Sequence, residues 1–295
     1  MSDRADVVVV GAGQAGLAVS HELTRAGVAH VVLEKGRPGQ TWRGRWDSFC
    51  LVTPNWSLQL PGHAYDGDDP DGFMPRDEIV AYLERYAASV DAPVREGVAV
   101  TSLHARSDGG FLLETSTGPI AAESVVLSTG AYQRPHRPAG AATLPADILQ
   151  IDVEDYRNAA ELPPGAVLVV GSGQSGCQIA EELQEAGRDV FLACGRAGWA
   201  PRRLGDHDLF WWLLEAGELD EDLSALPSPA ARLIGNVQAS GYGGGHDLHR
   251  DACPLLDHIF GDETGVIRGA AGHDHHALDV VQQPCLAHRF QFGQV

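Results

Sequence analysis

No two cysteines in this sequence stand in a C-x-x-C pair. The five, Cys50, Cys177, Cys194, Cys253 and Cys285, are odd in number and widely scattered. That excludes a disulfide framework and a redox dithiol, and leaves reduced, largely buried thiols. Positive charge is also scarce. Lys and Arg total 21 against 40 Asp and Glu, for a net charge of −19, and the basic residues are scattered. A nucleic-acid partner is therefore not expected, and the acidic surface reads as a solubility feature. No apolar stretch approaches the ~20 residues of a membrane span, so no span is expected. Residues 1–6 are polar and run straight into a strand pattern, with no signal peptide; a cytoplasmic enzyme is the expectation. These features do not fix the oligomeric state, and a homo-oligomer stays open.

What is present is glycine in a particular order. "DVVVV" (6–10) is a continuous β-branched run, the pattern of a strand buried on both faces of a parallel sheet. GAGQAG (11–16) then opens the helical stretch "QAGLAVSHELTRAG", and "HVVLEK" (30–35) is a second strand. The three glycines have separate tasks: Gly11 permits the tight turn, Gly13 lets backbone approach a pyrophosphate, and Gly16 allows close packing of helix on strand. Gln14 and Ala15 complete the loop. Glu34, ending the second strand with Lys35 beside it, is placed to accept from ribose hydroxyls.

The device recurs as GSGQSG (171–176), after "VLVV" and before "CQIAEELQEAG". Here Gly171, Ser172, Gly173, Gln174 and Ser175 form the loop, and "DVFLACGR" (189–196) is the second strand. Where the first unit has Glu34, this one offers Cys194, Gly195 and Arg196. No carboxylate repels a 2′-phosphate there, and Arg196 with Arg202 or Arg203 could pair with one, so NADPH is favoured over NADH. Two loops with opposite ribose chemistry imply two dinucleotides, a flavin relay (FAD) and a hydride donor (NADPH).

Between and beyond these units the text is less regular. Residues 36–75 are rich in glycine and proline and hold Trp42, Trp46 and Trp56, the composition of a long functional connection. Residues 75–90 read as a helix, 94–117 as a small β-meander turning at Asp108-Gly109-Gly110, and "SVVLSTGAYQRP" as a buried strand with a Pro-rich exit. The expected fold is α/β with two Rossmann-like dinucleotide-binding domains. An FAD-binding portion spans 1–155, an NADPH-binding domain 156–250 and an irregular tail 251–295, with the boundary falling within 155–163. A metal site at His273, Asp274, His275 and His276 is the minor reading of the tail.

The chain resembles the class B flavoprotein monooxygenases, of flavin-containing and Baeyer–Villiger type, over roughly residues 5–250. The carriers are GAGQAG with Glu34, "GQTWRGRWDSFCLVTPNWSLQLPG", "VVLSTGAYQRP", GSGQSGCQIAEEL and "GRAGWAPRR". The resemblance implies FAD contacts from Gly11, Gly13, Gly16 and Glu34, a flavin-side segment at Gln40, Thr41 and Trp42, and further contacts at Val100, Thr129 and Gly130. It implies NADPH contacts from Ser172, Gln174, Ser175, Arg196 and Arg202. It makes Asn55 the asparagine that steadies a C4a-(hydro)peroxyflavin; from the sequence alone Asn55 reads first as a turn residue.

The implied activity is NADPH-dependent flavin reduction followed by oxygenation of a small-molecule substrate by molecular oxygen. The alternatives are an NADPH oxidase releasing hydrogen peroxide and a shortened, non-catalytic dinucleotide-binding chain. Two departures from the family pattern stand out. Asp152 occupies the place of a signature histidine, with Tyr156 retained, and the segment that returns to the FAD domain is not found before Val295.

Overall fold

The computed structural model describes residues 3–131, 134–193, 198–200, 202–217 and 237–239. The chain divides into two compact units, Met1–Pro163 and Pro164–Val295. The division lies at the far end of the expected interval. Residues 156–163 stay with the first unit because Asp47 N donates to Arg157 O and Asn158 Nδ2 donates to Asp47 Oδ2.

In the first unit β1 (Asp3–Val10) leads through the glycine loop into α1 (Gln14–Arg25) and on to β2 (His30–Leu33). The two strands pair in parallel from Val7↔His30 to Val10↔Leu33. Val8 and Val9 are wholly buried, as a strand covered on both faces requires. After β2 come α2 (Gln40–Arg43), a short helical turn at Asn55–Ser57, and the paired strands β3 (Gln59–Leu60) and β4 (His63–Ala64). The helix α3 (Arg76–Ser89) buries Ile79, Tyr82, Leu83 and Tyr86 at helical spacing. Its two tyrosines hold the β3–β4 turn: Tyr82 Oη donates to His63 O at 2.7 Å and Tyr86 Oη to Pro61 O at 3.0 Å. Burial raises both phenol pKa values above the usual range.

Four strands complete the sheet: β5 (Val94–Arg95), β6 (Val100–Ala105), β7 (Phe111–Thr115) and β8 (Ile120–Leu127). The order is β5-β2-β1-β8-β7-β6, parallel across β5, β2, β1 and β8, then antiparallel through β7 and β6. The start of the expected meander therefore belongs elsewhere. Val94 and Arg95 pair with Val32 and Leu33 at the parallel edge, because Ala92 and Pro93 bring the chain from α3 beside β2. The sheet's core joins Val8, Val10, Val31 and Leu33 to Val98, Leu113, Ile120 and Ala122.

In the second unit β9 (Val167–Val170), α4 (Gln174–Glu185) and β10 (Val190–Ala193) repeat the parallel strand-helix-strand device, from Val167↔Val190 to Val170↔Ala193. Further on, β11 (Gly198–Ala200) pairs with β14 (Val237–Ala239). The hairpin β12 (Arg203–Leu204) and β13 (His207–Asp208) leads into α5 (Leu209–Glu215). Arg196 and the histidine-rich stretch at 273–276 lie outside the described residues. Among the described residues no helix is long and apolar enough to cross a membrane, and no cluster of metal-ligating side chains occurs.

Candidate functional site

The first glycine loop sits where β1, β2 and β8 end side by side, the carboxyl edge at which open parallel sheets take ligands. Its glycines differ in what surrounds them. Gly11 has φ +105°, and a Cβ there would lie 2.5 Å from Ser128 O. On Gly16 a Cβ would lie 1.8 Å from Gly11 O. At Gly13 no described atom comes within 4 Å of that position. Two glycines thus pack the turn against the protein, and the middle one faces open space. Gly13 also precedes α1 with no side chain capping it, so the first amides of the helix are offered outward.

Glu34 is buried at this edge, yet its carboxylate is not isolated. Oε2 accepts from Ala12 N at 2.8 Å and Oε1 from Gly36 N at 2.9 Å. A carboxylate can accept roughly four hydrogen bonds, which leaves about two for a ribose. Gly39, with φ +74°, donates its N–H to Ala12 O at 3.2 Å and starts α2 beside the loop. The following Gln40 accepts on Oε1 from Arg37 N, and Thr41 is exposed. Trp42 packs on Phe49 with ring centroids 5.5 Å apart. Thr129 and Gly130 follow Ser128, whose N–H donates to Val10 O, and so reach the same edge. Lys35 is exposed beside Glu34.

Two further residues expected at the flavin are placed as follows. Val100 opens the edge strand β6, with β7 and β8 between it and β1. The amide of Asn55 is buried and used at both ends: Nδ2 donates to Asp69 O at 2.9 Å and Oδ1 accepts from Met74 N at 2.6 Å. These bonds, with Asn55 N to Gly72 O, close the loop that leads into α3.

The second loop repeats the first except at its first glycine, where no described atom comes within 4 Å of a Cβ on Gly171. Gly171 has φ +106°, a Cβ on Gly176 would lie 1.8 Å from Gly171 O, and Gly173 again faces open space among the described residues. Ser172 is buried, Ser175 lies in the first turn of α4, and the buried Oε1 of Gln174 has no hydrogen-bond partner among the described residues. Arg202 differs from expectation. Its Nε lies 2.6 Å from Asp208 Oδ2, both side chains are under a tenth exposed, and Asp208 Oδ1 caps α5 by accepting from Phe210 N at 2.8 Å. Arg202 serves an internal ion pair, because burial of a guanidinium requires a partner. The neighbouring Arg203 is exposed.

Sequence reasoning missed Ala12, whose N–H meets Glu34, and Ser128, whose carbonyl lies under Gly11. Only the "STG" that follows β8 signals the second; nothing signals the first, since any residue supplies an amide.

Comparison with known proteins supplies the rest. The profile of the pyridine nucleotide-disulphide oxidoreductase family matches residues 8–209. A CzcO-like uncharacterised oxidoreductase of Geobacillus kaustophilus is 39% identical over 222 residues, covering 75% of this chain and 63% of that protein. The indole-3-pyruvate monooxygenase YUCCA1 of Oryza sativa is 30% identical over 187 residues, covering 60% of this chain and 44% of its own. Among solved structures, the flavin-containing monooxygenase from Stenotrophomonas maltophilia shares the fold, with a TM-score of 0.63, 23% identity, and coverage of 82% of this chain and 80% of that one. The chain spans 62–63% of the length of the CzcO-type relatives it matches.

Proposed function

The chain belongs to the pyridine nucleotide-disulphide oxidoreductase family, and on that premise we propose that its first unit holds FAD, its second holds NADPH, and the whole works as a monooxygenase-type oxidoreductase on a small molecule. One observation carries this reading. Each unit presents a strand-loop-helix whose third glycine, Gly16 or Gly176, packs on the carbonyl of the first, and whose middle glycine, Gly13 or Gly173, leaves room among the described residues for a group to lie against backbone. A pyrophosphate fits that cradle and the uncapped helix start behind it.

In the first unit the amides around Gly13 would take the pyrophosphate, and Glu34 would accept from the ribose with the lone pairs its two backbone bonds leave free. Gln40, Thr41, Trp42, Thr129 and Gly130 would line the same edge. In the second, Ser172, Gln174 and Ser175 would contact NADPH, and the Gln174 oxygen, without a partner among the described residues, supports a polar ligand there. With Arg202 engaged by Asp208, the exposed Arg203 and the sequence-placed Arg196 remain for the 2′-phosphate. Bound flavin would supply what no side chain can, acceptance of hydride and reaction with oxygen. Asn55 would keep the 55–74 loop closed with a neutral amide that donates a hydrogen bond without acting as an acid near neutral pH. The similarity to YUCCA1, an indole-3-pyruvate monooxygenase, favours oxygenation over simple oxidase activity.

The test is the visible spectrum of purified, desalted protein, repeated after anaerobic NADPH and again in air. Flavin bands that bleach with NADPH and return in air are the expected result. A colourless protein that cannot be loaded with added FAD overturns the reading. Stoichiometric hydrogen peroxide on re-oxidation, whatever substrate is offered, would replace oxygenation by oxidase activity.

A further inference from the structure

The chain leaving β8 does not travel to Pro164 as a loose tether. Arg137 donates twice to Asp152, Nε to Oδ1 at 2.7 Å and Nη2 to Oδ2 at 2.9 Å, and so closes a loop whose inner turn is held by Gln150 Nε2 on Ala141 O. The returning end then docks on the segment that follows α2. Asp47 N donates to Arg157 O at 2.8 Å, Asn158 Nδ2 donates to Asp47 Oδ2 at 2.8 Å, and Arg157 Nη1 donates to Gly44 O at 3.0 Å. The other carboxylate oxygen of Asp47 accepts from Arg76 Nη1, at the start of α3, at 2.8 Å.

We infer that Asp47 is a positioning residue: with Arg76 on one oxygen and Asn158 on the other, it clips the returning linker to the α2 loop and fixes where the chain departs from the first unit. The orientation of the Asn158 amide is determined on its own side, because its Oδ1 accepts from Ala160 N and Glu161 N. Its Nδ2 must therefore face the carboxylate. The cost of closing a long loop rises only with the logarithm of its length, so a few such bonds suffice to hold it. The same donors, Asn158 first and Arg76 second, keep the Asp47 carboxyl below the usual range. Every contact lies within the first unit, and the inference requires neither cofactor.

Trypsin reads the clip directly. Between 131 and 163 there is no lysine; Arg134 and Arg137 precede prolines, and only the bond after Arg157 is open to the protease. In Asp47→Asn one amide N–H must face another donor, either Asn158 Nδ2 or Arg76. In Asn158→Asp two carboxylates face each other while the cap on Ala160 and Glu161 is retained. In the double exchange D47N/N158D the amide donates to the new carboxylate, and the pair is restored with its polarity reversed.

Cleavage after Arg157, scaled for each variant to the rate in its own unfolded chain so that the residue following the bond cancels, should rise about tenfold in each single variant, because cleavage then follows the population of the opened segment, and return to within about twofold of wild type in the double variant. Amide exchange should quicken at 44–47 and 152–158 and stay unchanged at 11–16. Single variants cut at the wild-type rate overturn the inference, and so does a double variant that stays as labile as the singles. Should Asp47→Asn fail to fold, Asn158→Asp and the double variant carry the same comparison.

Discussion

Glu34 Oε2 accepts the backbone N–H of Ala12 at 2.8 Å, so the acid that follows β2 holds the glycine loop that follows β1. Glu34 therefore has work to do before any ribose arrives. In Glu34→Gln the side chain keeps one acceptor oxygen, and its NH2 group must face the N–H of Ala12 or of Gly36. The variant should lose about 1.5–3 kcal/mol of stability without ligand, the range for a hydrogen bond to a charged group, and bind FAD at least ~10-fold more weakly. Thermal unfolding of the ligand-free protein and a flavin fluorescence titration measure the two effects. Unchanged ligand-free stability would show that the Ala12 and Gly36 bonds contribute nothing.

The three glycines of each loop should separate by phenotype. Gly16→Ala and Gly176→Ala push a Cβ to 1.8 Å from a backbone oxygen, a clash that no side-chain rotation relieves. Loss of more than ~4 kcal/mol or failure to fold is expected. Gly13→Ala and Gly173→Ala meet open space, and stability without ligand should stay within about 0.5 kcal/mol of wild type. Their defect should appear only with ligand, as weaker FAD binding for the first and weaker NADPH binding for the second. Equal stability losses at all four positions would refute the division of tasks.

How far this could be read from the sequence depends on whether a feature is local. The glycine loops, the strands on either side and Glu34 are legible because a fixed spacing along the chain sets their geometry. The Pro-rich exit after β8 is legible for the same reason. The roles of Arg202 and Asn55 are not, since each is decided by a partner that spacing does not announce: Asp208 takes the guanidinium, and Asp69 with Met74 takes the amide. Asp152 is a further case. Where the family pattern has a histidine, the structure has one half of the bidentate pair with Arg137, and that pairing is visible only once the linker has folded back. The pairing of β5 with β2 was likewise hidden, because two residues carry too little pattern to choose a neighbour.

Glu181, on α4, gives the second unit a pH signature. Its pKa is pushed up to about 7, first by burial and then by the Glu185 charge one helical turn away. A carboxyl with a raised folded-state pKa is protonated when folded and ionised when unfolded between about pH 4.5 and 7. The unfolded state then binds fewer protons, and stability falls as pH rises through that window, levelling above it. Glu181→Gln should flatten this slope, and the difference in unfolding temperature between wild type and variant should grow from pH 5 to pH 8. A difference that stays constant across the window would show that Glu181 titrates normally.

Asn55 offers a choice between two roles that distinct variants resolve. As the brace of the 55–74 loop it donates to Asp69 O and accepts from Met74 N, and both bonds are lost together in Asn55→Ala. Asn55→Asp keeps the bond from Met74 N but sets a carboxylate oxygen against the Asp69 carbonyl, so one donor is replaced by repulsion. Both variants should speed amide exchange at Gly72 and Met74 by about tenfold or more, equivalent to ~1.4 kcal/mol of local stability, while leaving the protection of β1 and β8 intact. On the proposed flavin reading, substrate oxygenation should decline in step with that loosening. A variant that keeps the loop protected yet diverts NADPH to hydrogen peroxide would place the amide in the oxygen chemistry itself, since only direct contact could change the product without changing the loop.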